Sequence, residues 1–160
     1  MTENCISTYN PEFKKWFIEN QNGLPDDLYR LLWALYFNFP DVVEEELENG
    51  VNVNEIISSG NTALHIACKD RQNSQIIRIV LNYKPLVNIR NEELETPLNL
   101  LIKNLYFEID VLRKLLEMGA DPNIPNKDGN TCFHYLNMYA LINTDQFENI
   151  AALLYNIIQI

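Results

Sequence analysis

Thr62-Ala-Leu-His-Ile-Ala67 returns 34 residues later as Thr96-Pro-Leu-Asn-Leu-Leu101 and 35 residues after that as Thr131-Cys-Phe-His-Tyr-Leu136. A second landmark keeps the same phase. It ends at Asn54 in Gly50-Val-Asn-Val-Asn54, at Asn88 in Lys84-Pro-Leu-Val-Asn88 and at Asn123 in Gly119-Ala-Asp-Pro-Asn123, again 34 and 35 residues apart. Two series locked in register describe one unit copied along the chain. Counting backwards puts Ala34 where Ala67 stands, so Tyr29 to Asn54 forms a first copy that lacks the Thr-Pro opening.

Elementary helix chemistry explains the landmarks. Thr62 and Thr131 precede apolar runs and are placed to cap a helix through the side-chain oxygen, and Pro97 suits a first helical position. Gly50 and Gly119 follow Val42-Val-Glu-Glu-Glu-Leu47 and Val111-Leu-Arg-Lys-Leu-Leu116, where a helix ends in a left-handed residue. Apolar residues recur at helical spacing in the first helix of each copy (Leu31, Leu32, Ala34, Leu35; Leu64, Ile66, Ala67; Leu98, Leu100, Leu101, Ile102). They recur again in the second helix at Ile76, Ile77, Val80 and Leu81. Neither helix buries its apolar face alone, so the copies must stack around one continuous core.

The period and the Thr-Pro-Leu-His-x-Ala pattern resemble the ankyrin repeat. The resemblance implies an all-α solenoid of about four helix-pair repeats, over 29–61, 62–95, 96–130 and 131–160, behind an N-terminal helical cap over 1–28. It also implies that His65 and His134 are structural, bonding to neighbouring loop backbone, with Asn99 able to keep one such bond. Lys84 and Leu94 stand in slots where the pattern has glycine, so this repeat is expected to be strained or to use a different turn there, and its loop to deviate. Extra residues are expected in the inter-helix turns near Arg71 to Ser74 and Leu105 to Phe107. Phe13-Lys-Lys-Trp-Phe-Ile18 reads as a short amphipathic helix that closes the first repeat. The segment from Phe147 to Ile160 is unusually apolar for a terminal helix. It either packs back on the stack or is covered by a partner or a second copy.

Composition excludes several functions. With 22 acidic and 12 basic residues the net charge is -10, which argues against nucleic acid and favours a basic protein partner. The three cysteines, Cys5, Cys68 and Cys132, are widely spaced, so neither a disulfide framework nor a zinc site is expected. The five glycines are isolated, leaving no phosphate loop, and Ser58 and Ser59 lack a nucleophile elbow. No catalytic, cofactor or metal site is therefore expected. The acidic run Asp41, Glu44, Glu45, Glu46 and Glu48 reads as a solvated outer helix face, with a docking patch for a basic partner as the alternative. No apolar run approaches membrane-spanning length and no leader is visible, so a reduced, cytoplasmic setting and no membrane contact are expected.

The ankyrin resemblance further implies a concave protein-binding groove lined by the loops and by the ends of the first helices. Position by position, it puts Ile56, Ser58, Ser59, Arg90, Glu92, Glu93, Glu95, Pro125, Lys127 and Asp128 on the loops. Tyr36, Phe37, Lys69, Asp70, Lys103, Asn104, Met138 and Tyr139 take the helix ends. The strongest anchor candidates are Tyr36, Phe37, Met138 and Tyr139, unless they serve to seat the terminal caps. Glu92, Glu93 and Glu95 would give the groove an acidic rim. Three functions remain open: an immunity-type inhibitor that sequesters a basic protein, a viral or bacterial host-interaction regulator of the IκB-like kind, and, more remotely, a hydrolase. A monomer, or a weak dimer through the C-terminal helix, is expected.

Overall fold

The computed structural model describes residues 25–69, 74–104, 107–139 and 144–158. Residues 1–24 of the expected N-terminal cap, Asp70, and parts of the inter-helix turns lie outside the described residues. Eight helices are present among them: α1 (Asp26–Tyr36), α2 (Pro40–Glu48), α3 (Ala63–Lys69), α4 (Ser74–Asn82), α5 (Pro97–Asn104), α6 (Ile109–Glu117), α7 (Cys132–Tyr139) and α8 (Thr144–Ile158). Each odd helix packs on the even helix that follows it. The odd helices also pack on one another in an inner column, α1 on α3 on α5 on α7, and the even helices form an outer column in the same order. The product is an all-α solenoid.

Its core lies between the columns. Leu31, Leu35, Leu64, Ile76, Ile77, Leu98, Leu101, Leu112 and Leu115 are fully buried, and the first seven fall on the helical spacing read from the sequence. The apolar C-terminal helix packs back on the stack, burying Ile150 and Leu154. Arg78 on α4 clips the outer column by pairing with Glu108 and with Asp110, the latter at 2.9 Å, beside and on α6.

Three details correct the sequence reading. The Thr62 and Thr131 hydroxyls do not cap a backbone amide. Each lies 2.9–3.0 Å from the Nδ1 of the histidine three residues on, and that nitrogen also accepts the threonine's own N–H, at 3.2 and 3.1 Å. The ring thus replaces the ordinary cap, whereas Thr96, followed by Asn99, caps through its oxygen at 3.2 Å. Glu46 is not on the solvated face. It is buried at 2% exposure and paired with Arg30 at 2.9 Å, while Asp41, Glu44, Glu45 and Glu48 are exposed. Burial raises the Glu46 carboxyl above the usual range, and the guanidinium opposes that rise.

The third correction concerns Lys84 and Leu94. Both adopt left-handed backbone, with φ of 53° and 57°, so the strain expected there is real. The loop nevertheless follows its neighbours. Lys84 N–H bonds to the Leu81 carbonyl at 3.2 Å, as Gly50 does to Leu47, and Leu94 N–H bonds to Asn91 at 2.9 Å, as Gly129 does to Asn126 at 3.0 Å.

Candidate protein-binding face

Between the helix pairs the chain makes three hairpin-like tips, each closed by a short backbone frame. Ile57 N–H bonds to the Asn61 carbonyl at 2.8 Å, Asn91 to Glu95 at 3.1 Å and Asn126 to Asn130 at 2.8 Å. In the second and third tips a buried asparagine holds the turn from inside. The Asn91 Oδ1 accepts the N–H groups of Glu93 and Glu95 at 3.0 and 2.9 Å, and the Asn126 Oδ1 accepts those of Asp128 and Asn130 at 3.0 and 2.9 Å. Asparagine suits this job because its short side chain reaches backbone two residues on.

The tips are also bonded to each other. Glu92 N–H donates to Ser59 O at 3.2 Å, and Lys127 N–H to Glu93 O at 3.0 Å. The Asn91 amide reaches the Asn61 Oδ1 at 2.9 Å, and the Arg90 guanidinium spans from Leu94 O at 3.3 Å to Pro125 O at 2.9 Å. A continuous ridge results, whose backbone groups bond to one another and on which Ser59, Glu92, Glu93, Lys127 and Asp128 are exposed.

Histidine and asparagine tie this ridge to the inner helices. The buried Nε2 of His65 stands 3.0 Å from Ile89 O and 3.2 Å from Glu95 O, the two ends of the second tip. Since only carbonyl acceptors face Nε2 while Nδ1 accepts from Thr62, the proton sits on Nε2. Burial holds the His65 pKa below its ordinary value, against the opposing pull of those carbonyls. Asn99 does the same for the third tip, its Nδ2 donating to Ile124 O at 3.1 Å.

The predicted site residues divide accordingly. Ile56, Glu92, Glu93, Lys127 and Asp128 are exposed on the tips, Ser58 is half-buried, and Lys69 is exposed at the end of α3. Arg90 is exposed, but its guanidinium is committed to the ridge. Glu95 is a correction: it is buried at 6% exposure and belongs to no rim. Its Oε1 accepts from Lys103 Nζ at 3.1 Å and from the Tyr135 hydroxyl at 3.2 Å, and that hydroxyl accepts from the Asn126 amide at 2.7 Å. Lys103 also lies 5.5 Å from the centre of the Tyr135 ring. The Asn104 amide bonds to Lys69 O at 3.3 Å. Asp70 and the Tyr139 side chain lie outside what is described.

At the first end of the stack, Tyr36 and Phe37 remain more than half exposed, and with Tyr29, Leu32 and Trp33 they line a groove of about 400 Å³. At the other end Met138 is 65% exposed. The sequence reading missed the buried asparagines. Their signal was present in the shared phase of Asn91 and Asn126.

The chemistry of reaction is poorly served by these residues. Among the described residues no group of His, Cys, Asp and Glu is arranged to hold a metal ion. Cys68 and Cys132 are buried, which pushes the Cys132 thiol up to about 12 and raises Cys68 as well, so neither supplies thiolate near neutrality. Among the described residues no helix is long and apolar enough to cross a membrane.

A helix-pair solenoid with a bonded ridge of loop tips is the architecture of a protein-interaction scaffold. The chain belongs to the ankyrin repeat family: residues 31–126 match the family model for ankyrin repeats (3 copies). It is 34% identical to a fowlpox virus ankyrin repeat protein over 146 residues, which make up 89% of this chain and 41% of that protein. An ankyrin repeat and KH domain-containing protein of Caenorhabditis elegans is 33% identical over 57% of this chain and 4% of its own length. An ankyrin repeat protein of Acanthamoeba polyphaga mimivirus is 36% identical over 76% of this chain and 24% of its own. The chain thus spans less than half of each relative.

Proposed function

We propose that this chain is a non-catalytic scaffold whose loop ridge captures a basic protein and sequesters it. The observation that carries this reading is the ridge itself. Its backbone groups are bonded to one another, while Glu92, Glu93 and Asp128 stay exposed on a chain of net charge -10. Preformed loops lose little freedom on binding, and exposed carboxylates speed encounter with a cationic surface. Two of the three relatives are viral, which favours a host-interaction regulator over an immunity-type inhibitor. Tyr36, Phe37 and Met138 serve as apolar contacts at the two ends of the face.

The test is capture from cognate lysate by the immobilised chain at low and at moderate salt, beside a Glu92→Lys, Glu93→Lys variant. A basic protein retained at low salt, reduced at moderate salt and lost from the variant is the expected result. Retention of the same proteins by the variant, regardless of salt, would overturn the electrostatic reading.

A further inference from the structure

The second tip carries Leu94 in the slot where the other two have glycine. Gly60 and Gly129 take positive φ there, at 74° and 80°, and Leu94 is forced into the same region at 57°. A leucine in left-handed backbone is disfavoured, because its Cβ crowds the following carbonyl. The leucine side chain gains no core burial in return. Leu94 is 39% exposed and stands outside the core cluster, and the frame around it matches that of Gly129. Ser59 and Lys84 are left-handed too, at 52° and 53°, but among the described left-handed residues only Leu94 exposes a large apolar side chain, an outlier that motivates a functional reading.

Its neighbours indicate what it meets. Glu92 and Glu93 are exposed beside it. The nearby cations are Arg90, committed to Leu94 O and Pro125 O, and Lys127, which stands 3.6 Å from Glu93 in an exposed pair that a ligand cation can displace. Ile56, 60% exposed, is a second apolar residue on the adjoining tip, which is bonded to this one through Glu92 and Ser59.

We propose that Leu94 is an anchor of the binding face, seating an apolar side chain of an extended basic segment whose Lys or Arg residues pair with Glu92 and Glu93. The inference rests on the reading of the ridge as a protein-binding surface and names the chemistry of its ligand. The leucine supplies desolvated contact and the carboxylates supply orientation and encounter rate.

The probe is a phage-displayed library of random linear dodecapeptides, selected on the intact chain and counter-screened on Leu94→Gly and Leu94→Asn, both of which accept left-handed backbone. Selected peptides should carry an aliphatic or aromatic residue flanked by Lys or Arg. Their Kd should weaken about tenfold on both variants, while the thermal midpoint of each variant stays at or above that of the parent chain. Peptides that bind the variants as tightly as the parent would overturn the role of Leu94 and leave the scaffold reading standing. A lowered midpoint in both variants would overturn it as well, by making Leu94 a structural residue. Failure to enrich any peptide over bare support would count against the binding ridge itself.

Discussion

The first and second tips share a closing frame and a left-handed residue in the same slot, Gly60 and Leu94, but turn differently: Asn61 N–H bonds to Ser58 O in the first, where Ser59 is also left-handed, and Leu94 N–H bonds to Asn91 O in the second. At Gly60 the conformation is demanded by space: a Cβ there would lie 2.6 Å from the Glu92 backbone nitrogen, and the residue has φ of 74°. At Leu94 a side chain is accommodated, although φ is 57°. Close approach of the neighbouring backbone therefore requires glycine in the first tip, whereas the second holds a leucine in its slot. The second is held by Arg90 on Leu94 O, by the Asn91 side chain on Glu93 and Glu95, by His65 on both of its ends and, from the first repeat, by Ser59 O on the Glu92 N–H and the Asn61 side chain on the Asn91 amide. In a stacked repeat the bonds between units can impose a local conformation that the local residues would not choose.

The strongest way to break this comparison is to remove the brace. His65→Ala deletes a buried ring with partners on both nitrogens and should cost about 3 kcal/mol in urea unfolding. His65→Asn should recover most of that loss, because Asn99 already performs the job for the third tip. The ring also makes stability depend on pH. Its folded pKa is depressed, so its contribution is complete above the unfolded value near 6.5 and is lost as pH falls from there toward the folded value. That segment of the stability profile should flatten in His65→Asn, and an unchanged acid slope would assign it to other groups. Next in size is Gly60→Ala, which should cost about 2 kcal/mol from left-handed strain together with the contact against Glu92 N. A near-neutral result would remove the distinction between the two tips.

The helices were legible because their signals are local and repeated: apolar spacing, helix stops at Gly50 and Gly119, and a Thr at the opening of the second, third and fourth repeats. What escaped the sequence was the choice among equivalent neighbours. Glu44, Glu45 and Glu46 look alike in a row, and only the position of Arg30 on the adjoining helix shows which one is buried. Glu95 reads as a loop carboxylate beside Glu92 and Glu93. Its true partners, Lys103 and Tyr135, are 8 and 40 residues away. Propensity at Lys84 and Leu94 points to a deviating loop, but the bonds that hold its tip come in part from Ser59 and Asn61, 30 or more residues earlier. Tyr36, Phe37 and Met138 are exposed, as long apolar residues that fall off the buried spacing at helix ends would be.

The finest test asks whether His65 is what holds Leu94 in its conformation. In the parent chain Leu94→Gly should raise stability by about 0.5–1 kcal/mol, the left-handed penalty of leucine less the greater freedom of glycine in the unfolded chain. In His65→Asn the shorter amide is expected to keep the bond to Ile89 O, as Asn99 keeps its bond to Ile124 O, and to release Glu95 O beside Leu94. With that end freed, Leu94 can relax, so the gain from Leu94→Gly should shrink by about half. The readout is a four-protein cycle of urea unfolding. An identical gain in both backgrounds would mean that the tip is held by its own Asn91 frame and Arg90 alone, and the brace would then act on the repeat interface without reaching the tip.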